Sequence, residues 1–213
     1  MNRDSSAAFW ELEKLGRIQL SKSFYLRDFL HSEIAATYRL PNVPVDIDLA
    51  IETGTRLCET ILEPLHDTLG RIHIRSGYRS PSLNQFGHEN GLKCARNAYS
   101  FADHIWDVRD EEGNAGACAC IVIPWFANKH EPADWRRLAW WLYDHIDFHR
   151  VVFFSRQTAF NIGWRDNPKR EISSYLEPKG LLVGPTRPRP AADRAQSYAD
   201  FPTFLRALSP LSR

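Results

Sequence analysis

Arg75-Ser-Gly-Tyr-Arg-Ser-Pro-Ser-Leu-Asn84, followed later by His104-Ile-Trp-Asp107, is the stretch around which the chain is organised. Ahead of it, Ile72 and Ile74 alternate with Arg71 and His73, the period-two pattern of a short strand over Arg71 to Arg75. Gly77 and Pro81 then impose a turn and a polar loop. Asp103 to Val108 reads as a second strand that presents the carboxylate of Asp107. Arg75, Ser76, Tyr78, Arg79, Asn84 and Asp107 therefore gather beside two strands, a composition suited to a cleft for a charged or polar ligand. Arg75 and Arg79 flank the turn and have the fork geometry to clamp a carboxylate, with Tyr78 and Asn84 adding hydrogen bonds. The competing reading gives Arg79 and Asn84 the task of holding the turn and the long loop in place.

Upstream, Leu49, Thr53, Leu57, Ile61 and Leu65 fall at steps of four within Val45 to Leu69, which marks an amphipathic helix. Pro64 should end or kink it locally, and Gly70 closes it. Phe9, Trp10, Leu12 and Leu15 give a short N-terminal helix an apolar side, with Ser5 or Ser6 as its cap and Gly16 as its end. Phe24 and Leu26 read as extended, leading into a short helix over Arg27 to Tyr38, and Pro41 and Pro44 make a rigid connection. Downstream, Ala117 to Pro124 is almost wholly apolar and reads as a central strand. A helix runs from Pro132 to about His145, with Trp135, Leu138, Leu142 and His145 on one side. Val151 to Phe154 and Ala159 to Trp164 form a hairpin, Arg165 to Arg170 a charged turn, and Glu171 to Tyr175 a short extended segment.

These elements define an α+β chain with a small antiparallel sheet of about five strands flanked by helices. Residues 1–20 form a helical extension, 21–180 the main domain, and 181–213 a Pro/Arg-rich tail. Gly184-Pro-Thr-Arg-Pro-Arg-Pro-Ala-Ala can build neither helix nor ladder. Beyond it, Tyr198, Phe201 and Phe204 are apolar anchors, either docked on the chain itself or serving as an arm for other protein subunits.

A chain of 213 residues buries a sizeable core without disulfide help. Hydrophobic content of 43% and charged content of 25% are those of an ordinary globular protein, and a net charge of +1 gives no overall drive toward nucleic acid or anionic membranes. Seven Trp and twelve Phe fill cores and also line sugar- or peptide-binding clefts. The N-terminal residues are polar and mixed in charge, with no secretory h-region, and no apolar run approaches the roughly 20 residues of a membrane span. The expected setting is a reducing cytoplasm, or export by another route such as a virion. Cys58, Cys94, Cys118 and Cys120 contain no CxxC pair. Cys118 and Cys120 share one face of a strand, either as a thiolate site or as small buried hydrophobes.

Several motifs stand in a recognisable order. They are Leu20-Ser-x-x-Phe24 with Ser32-Glu-x-Ala35, Asn42-Val-Pro44, Leu62-Glu-Pro-Leu65 with Gly70, Arg75-Ser-Gly-Tyr-Arg-Ser-Pro-x-Leu-Asn84, Phe148-His-Arg-Val-Val-Phe-Phe154 and Ala159-Phe-Asn-Ile-Gly-Trp164. In this order the chain resembles the M15 zinc peptidases, the D-Ala-D-Ala carboxypeptidase and endolysin-like group that shares the Hedgehog/DD-peptidase fold, over roughly residues 18 to 172. The resemblance implies a zinc ion held by a His, an Asp and a second His, with a carboxylate near the second His as general base. In register on Asp107, the first His position holds Ser100 and the second holds Asn161. The general-base position falls near Phe154 or Ser155. Serine and asparagine are poor zinc donors, so only Asp107 of the set remains.

What the resemblance implies is therefore a catalytically degenerate M15-like domain without a cofactor, acting as a binding or structural assembly module, with a phage or phage-derived virion component as its setting. An alternative is an active zinc-dependent peptidoglycan peptidase whose metal site has moved onto donors among His104, Asp107, His88, Cys94 and Cys118. On a strand, however, His104 and Asp107 would face opposite sides. A second alternative is a non-catalytic binder of peptidoglycan peptide.

Overall fold

The computed structural model describes residue 10, residues 12–155, 158–187 and 192–205. Asp46 begins the long helix by accepting from the Leu49 backbone N–H at 3.0 Å, so the Pro44 connection runs directly into a capped start. The helix spans Ile47–Leu57, loosens into a π-turn over Cys58–Leu62, and resumes as Glu63–Leu69. Pro64 sits in the first turn of that last segment. A proline cannot donate to the carbonyl four residues back, and the widened turn just before it absorbs the missing bond without ending the helix. Leu57, Ile61, Leu62 and Leu65 are fully buried, as their spacing predicts.

Six strands form one sheet: β1 (His73–Ser76), β2 (Gly116–Val122), β3 (Arg150–Phe153), β4 (Phe160–Arg165), β5 (Glu171–Ser174) and β6 (Gly180–Val183). Their order is β1-β2-β4-β3-β5-β6. The expected sheet of about five antiparallel strands is corrected on both counts, since β5 runs parallel to β3. The reason is positional. β4 returns antiparallel to β3 and lies between β2 and β3, so only the far edge of β3 is open. After the turn at 166–170 the chain crosses to that edge and runs in the direction of β3. Arg170 fixes this crossing. It bonds the Tyr143 and Ile146 carbonyls and lies over the Phe148 ring, with its Cζ 4.6 Å from the ring centroid. β6 then pairs with β5, so the sheet continues into residues that composition alone assigned to the tail.

Residues directly opposite in a ladder share a face. One face carries Ala117, Ala119, Ile121, Phe160, Ile162, Val151, Phe153 and Ile172, all buried in the core beneath the 47–69 and Trp135–His145 helices. The other carries Cys118, Cys120, Asn161, Gly163, Arg150 and Ser76. An almost apolar run on β2 thus conceals a second face of mixed character, on which Val152 stands with Arg150, Asn161 and the two cysteines.

The second expected strand, Asp103 to Val108, does not form. Residues 101–108 wind into a tight coil in which the Ala102 N–H reaches the Ile105 and Val108 carbonyls at 3.1 and 2.9 Å. Ile105 and Trp106 are adjacent and both fully buried, which a one-sided strand forbids. The coil is tied down on two sides, by Cys118 N–H to the Asp103 carbonyl at 2.9 Å and by Arg79 N–H to the His104 carbonyl at 2.8 Å. It presses so closely on β2 that a Cβ on Gly116 would lie 2.4 Å from the Ala102 oxygen.

The N-terminal helix is present over residues 12–16, with Leu15 buried and Trp10 exposed, while its proposed caps Ser5 and Ser6 lie outside the described residues. Gln19 and Tyr25 form an isolated bridge, and the expected helix over Arg27 to Tyr38 divides into Arg27–Leu30 and Glu33–Tyr38. Ser32 caps the second piece by accepting from the Ala35 N–H. Residues 188–191 of the Pro/Arg linker lie outside the described residues. Beyond it, Phe201 and Phe204 pack against the chain's own Trp125, Phe126, Trp141 and His145. No helix among the described residues is long and apolar enough to cross a membrane.

Candidate functional site

Asn42 explains why the Ser-Gly-Tyr-Arg-Ser-Pro turn follows an Asn-x-Pro step in this chain. Its amide donates to the Leu30 and Tyr78 carbonyls at 2.9 and 3.0 Å, and its oxygen accepts from the Ser80 N–H at 2.8 Å. Ser80 then caps the Pro81–Glu89 helix through the Leu83 N–H. Gly77 is required by packing, since a Cβ there would stand 2.7 Å from the Phe29 Cβ. The turn is thus fixed from three sides, and its side chains point in settled directions.

Tyr78 is fully buried and donates its hydroxyl to Asp107 Oδ2 at 3.0 Å. Burial and the neighbouring carboxylate both push the phenol above its ordinary pKa. Arg79 sends Nη1 to the Cys94 sulfur at 2.7 Å, while its buried Nε has no partner. Asn84 is fully buried and donates to the Ala95 carbonyl and Asn97 Oδ1, so it holds the loop that follows. Arg75 is exposed on β1 and Ser76 half-buried beside Cys120. The groove candidates therefore separate into two sets. Arg75, Ser76 and part of Arg79 face outward, and Tyr78 and Asn84 are internal.

Asp107 Oδ2 and the Asn161 amide are committed elsewhere, Asp107 Oδ1 is buried without a partner, and Ser100 is tied through its backbone. Asp107 Oδ2 also accepts from the Val45 N–H at 2.7 Å, which ties the proline-rich connection to the coil. The Ser100 carbonyl accepts from the Asp103 and Ile105 N–H groups. Asn161 Nδ2 donates to His104 Nε2 at 3.0 Å. None of the three is hydrogen-bonded to another, and two of them are not donors a zinc ion selects. The His-Asp-His arrangement that the resemblance implies does not fit these residues.

A different set does converge. Ligand atoms of Asp103, His104 and Cys118 lie within 4.8 Å of one another, and all three residues are buried. His104 Nδ1 donates to the Gly77 carbonyl at 2.8 Å, which leaves Nε2 as the acceptor facing Asn161. Asp103 Oδ2 pairs with Arg150, while Oδ1 is buried without a partner. Asp103, Cys118, Arg150, Asn161 and His149 border a cavity of about 10 Å³. Gly163, between Cys118 and Arg150 in the ladder, leaves the space open by having no side chain. Burial is the largest influence and would raise the Asp103 carboxyl, but Arg150, His104, the Cys118 thiol hydrogen bond and Arg165 together hold the pKa below the usual carboxylate range. Burial, with Arg79 adding, pushes His104 down to about 4. The Cys118 thiol is raised by burial and by Asp103.

In the sequence, His104 and Cys118 stand with Asp107, His88 and Cys94 among the donors for a moved metal site, Cys118 equally as a thiolate or small buried hydrophobe and His104 as a structural histidine. Asp107 turns away to Tyr78. His88 bonds the Cys94 carbonyl within its own loop. Asp103 and Arg150 were missed because Asp103 was placed on a strand that does not form. The detectable signal was Cys118 beside a glycine-bearing neighbour strand, but the partner segment was not legible. All four cysteines are unpaired. No protein-family model matches this chain, and no curated protein or solved structure matches it either.

Proposed function

We propose that this chain is a non-catalytic binding or assembly module built on an M15 peptidase-like framework. The observation that carries the reading is the commitment of Asp107. It is the one retained position of the implied zinc set, and its Oδ2 accepts from both Val45 and Tyr78. An aspartate so engaged serves as a brace between three segments. The nearby Asp103 is neutralised by a guanidinium, and the adjoining cavity of about 10 Å³ has room for about one water and none for a peptide. Neither carboxylate opens onto a space that holds a peptide, so neither is placed as a general base. The exposed Arg75, with the half-buried Ser76 and the outer part of Arg79 beside it, gives the module a cationic rim for a carboxylate-bearing ligand such as a cell-wall stem peptide.

The test is digestion. The full chain is incubated with muropeptides, with and without added zinc, and products are read by mass spectrometry. The expected outcome is an unchanged digest in both conditions, with Arg75→Ala weakening retention on purified sacculi. Cleavage that a chelator abolishes would sink the reading.

A further inference from the structure

We propose that Asp103, His104 and Cys118 together hold one zinc-type divalent ion in a closed, structural site. This donor set is distinct from Ser100, Asp107 and Asn161. Three independent observations converge on it. The ligand atoms are already within 4.8 Å of one another. Bonds of about 2.0 to 2.3 Å to a common tetrahedral ion put donors about 3.3 to 3.7 Å apart, so binding draws the three inward by up to about 1.5 Å. His104 is held in a single tautomer by the Gly77 carbonyl, the backbone anchor that metal-bound histidines use to aim the other nitrogen. Asp103 is more than nine-tenths buried and has one oxygen with no partner, beside a cavity it lines together with Cys118. The Cys118 thiol hydrogen-bonds this carboxylate, and its proton is the one that a bound cation displaces.

The donor chemistry selects the ion. A sulfur, an imidazole nitrogen and a carboxylate oxygen suit zinc, whereas calcium and magnesium take oxygen donors throughout. Binding displaces the Cys118 proton to solvent as the sulfur–metal bond forms. The fourth position falls to one water, for which the adjoining cavity has room, and Asn161, whose amide meets His104 Nε2 at 3.0 Å, releases that nitrogen to the metal. Arg150 stays on Asp103 Oδ2 as an outer partner and leaves Oδ1 to the metal. The cavity admits nothing larger than about one water, so the ion would pin the 101–108 coil to β2 without meeting a substrate.

The full chain is stripped with a chelator, checked for folding by circular dichroism, and titrated with zinc and with cobalt. The expected result is about one equivalent of either metal, a rise in Tm, and a near-ultraviolet thiolate-to-cobalt charge-transfer band. Cys118→Ser should lose that band, Cys120→Ser should keep it, and His104→Gln should weaken zinc binding by about tenfold or more. If the variants fail to fold, the wild-type cobalt spectrum decides alone. A folded wild-type chain that takes up no metal, or a cobalt complex without the thiolate band, overturns the site. Absence of metal leaves the non-catalytic role standing. Bound metal accompanied by muropeptide cleavage refutes that role and keeps the site.

Discussion

Tyr78 donates its hydroxyl to Asp107 Oδ2 at 3.0 Å where neither side chain reaches solvent. The same oxygen takes the Val45 N–H, so one carboxylate joins the proline-rich connection, the Ser-Gly-Tyr-Arg-Ser-Pro turn and the 101–108 coil. The relationship predicts an ordering. Tyr78→Phe removes one donor and leaves Asp107 its backbone partner, which should cost about 1 kcal/mol of stability. Asp107→Ala takes the acceptor from the Val45 N–H as well and leaves the Tyr78 hydroxyl only the Val43 carbonyl at 3.4 Å, and should cost about 2 kcal/mol. Urea unfolding of the two variants checks this. Equal losses would mean that the Val45 bond contributes nothing.

Gly77 offers a sharper steric test. A Cβ there would stand 2.7 and 2.8 Å from Phe29 Cβ and Cδ1 and 3.0 Å from its Cα. Rotating the Phe29 ring relieves only the middle contact, so the backbone of the Arg27–Leu30 helix must shift. Gly77→Ala should destabilise the chain by about 1 to 3 kcal/mol, the range for overpacking a filled core. A Tm equal to that of the wild type would show that the helix moves freely.

The parts of this fold that were legible in the sequence are those written in periodicity. The long helix, the buried β2 and the β3–β4 hairpin are set by apolar spacing, which survives whatever surrounds it. The coil at 101–108 was not legible because its residues satisfy four different neighbours. His104 faces the sheet, Trp106 the core, Asp107 the Tyr78 side, and the backbone of Asp103 meets β2. A segment whose every side chain has a separate destination carries no period. The same gap hid Asp103 and Arg150 from the site, since the pair exists only once the coil lies on β3 and β4. The parallel pairing of β5 was hidden for another reason. Strand direction depends on which edge of β3 is free, a property of the sheet and not of the Glu171–Ser174 segment.

Two buried histidines predict an acid-side loss of stability. His149 is pushed down to about 4 by burial, with Arg165 and Arg150 adding, from an ordinary value of 6.5. His104 is shifted the same way and to the same value. In the chelator-treated chain the unfolded state therefore binds protons between about pH 6.5 and 4 that the folded state refuses. Stability is fully present above that window and falls as pH drops through it, by up to about 1.4 kcal/mol per pH unit for each histidine. Below the window these groups contribute no further loss. His149→Gln should flatten part of the slope, measured as Tm against pH. An unaltered profile in a folded variant would remove His149 from the account.

The segment at 192–205 closes an apolar surface that the rest of the chain leaves open. Phe201 is 8% exposed and sits 5.0 Å from the Trp125 ring centroid, and the Phe204 ring stacks on His145 at 5.0 Å. Arg137 pairs with Asp200, and Arg194 and Tyr198 both meet Asp144. Asp200 is exposed, and an ion pair held in solvent adds little to stability, whereas burial of an aromatic ring adds much. Phe201→Ala should therefore cost about 3 kcal/mol, and Asp200→Ala should leave the Tm close to that of the wild type. The anchors that the sequence offered to a partner are engaged on the chain itself, so an arm function would first require their release. Limited proteolysis near the Pro/Arg linker, followed by size-exclusion chromatography and a hydrophobic dye, tests this. Tight retention of the cleaved segment and little dye binding are expected from the wild type. In Phe201→Ala the segment should dissociate and the dye signal should rise, and a segment equally retained by the variant would show that the ring is not what docks it.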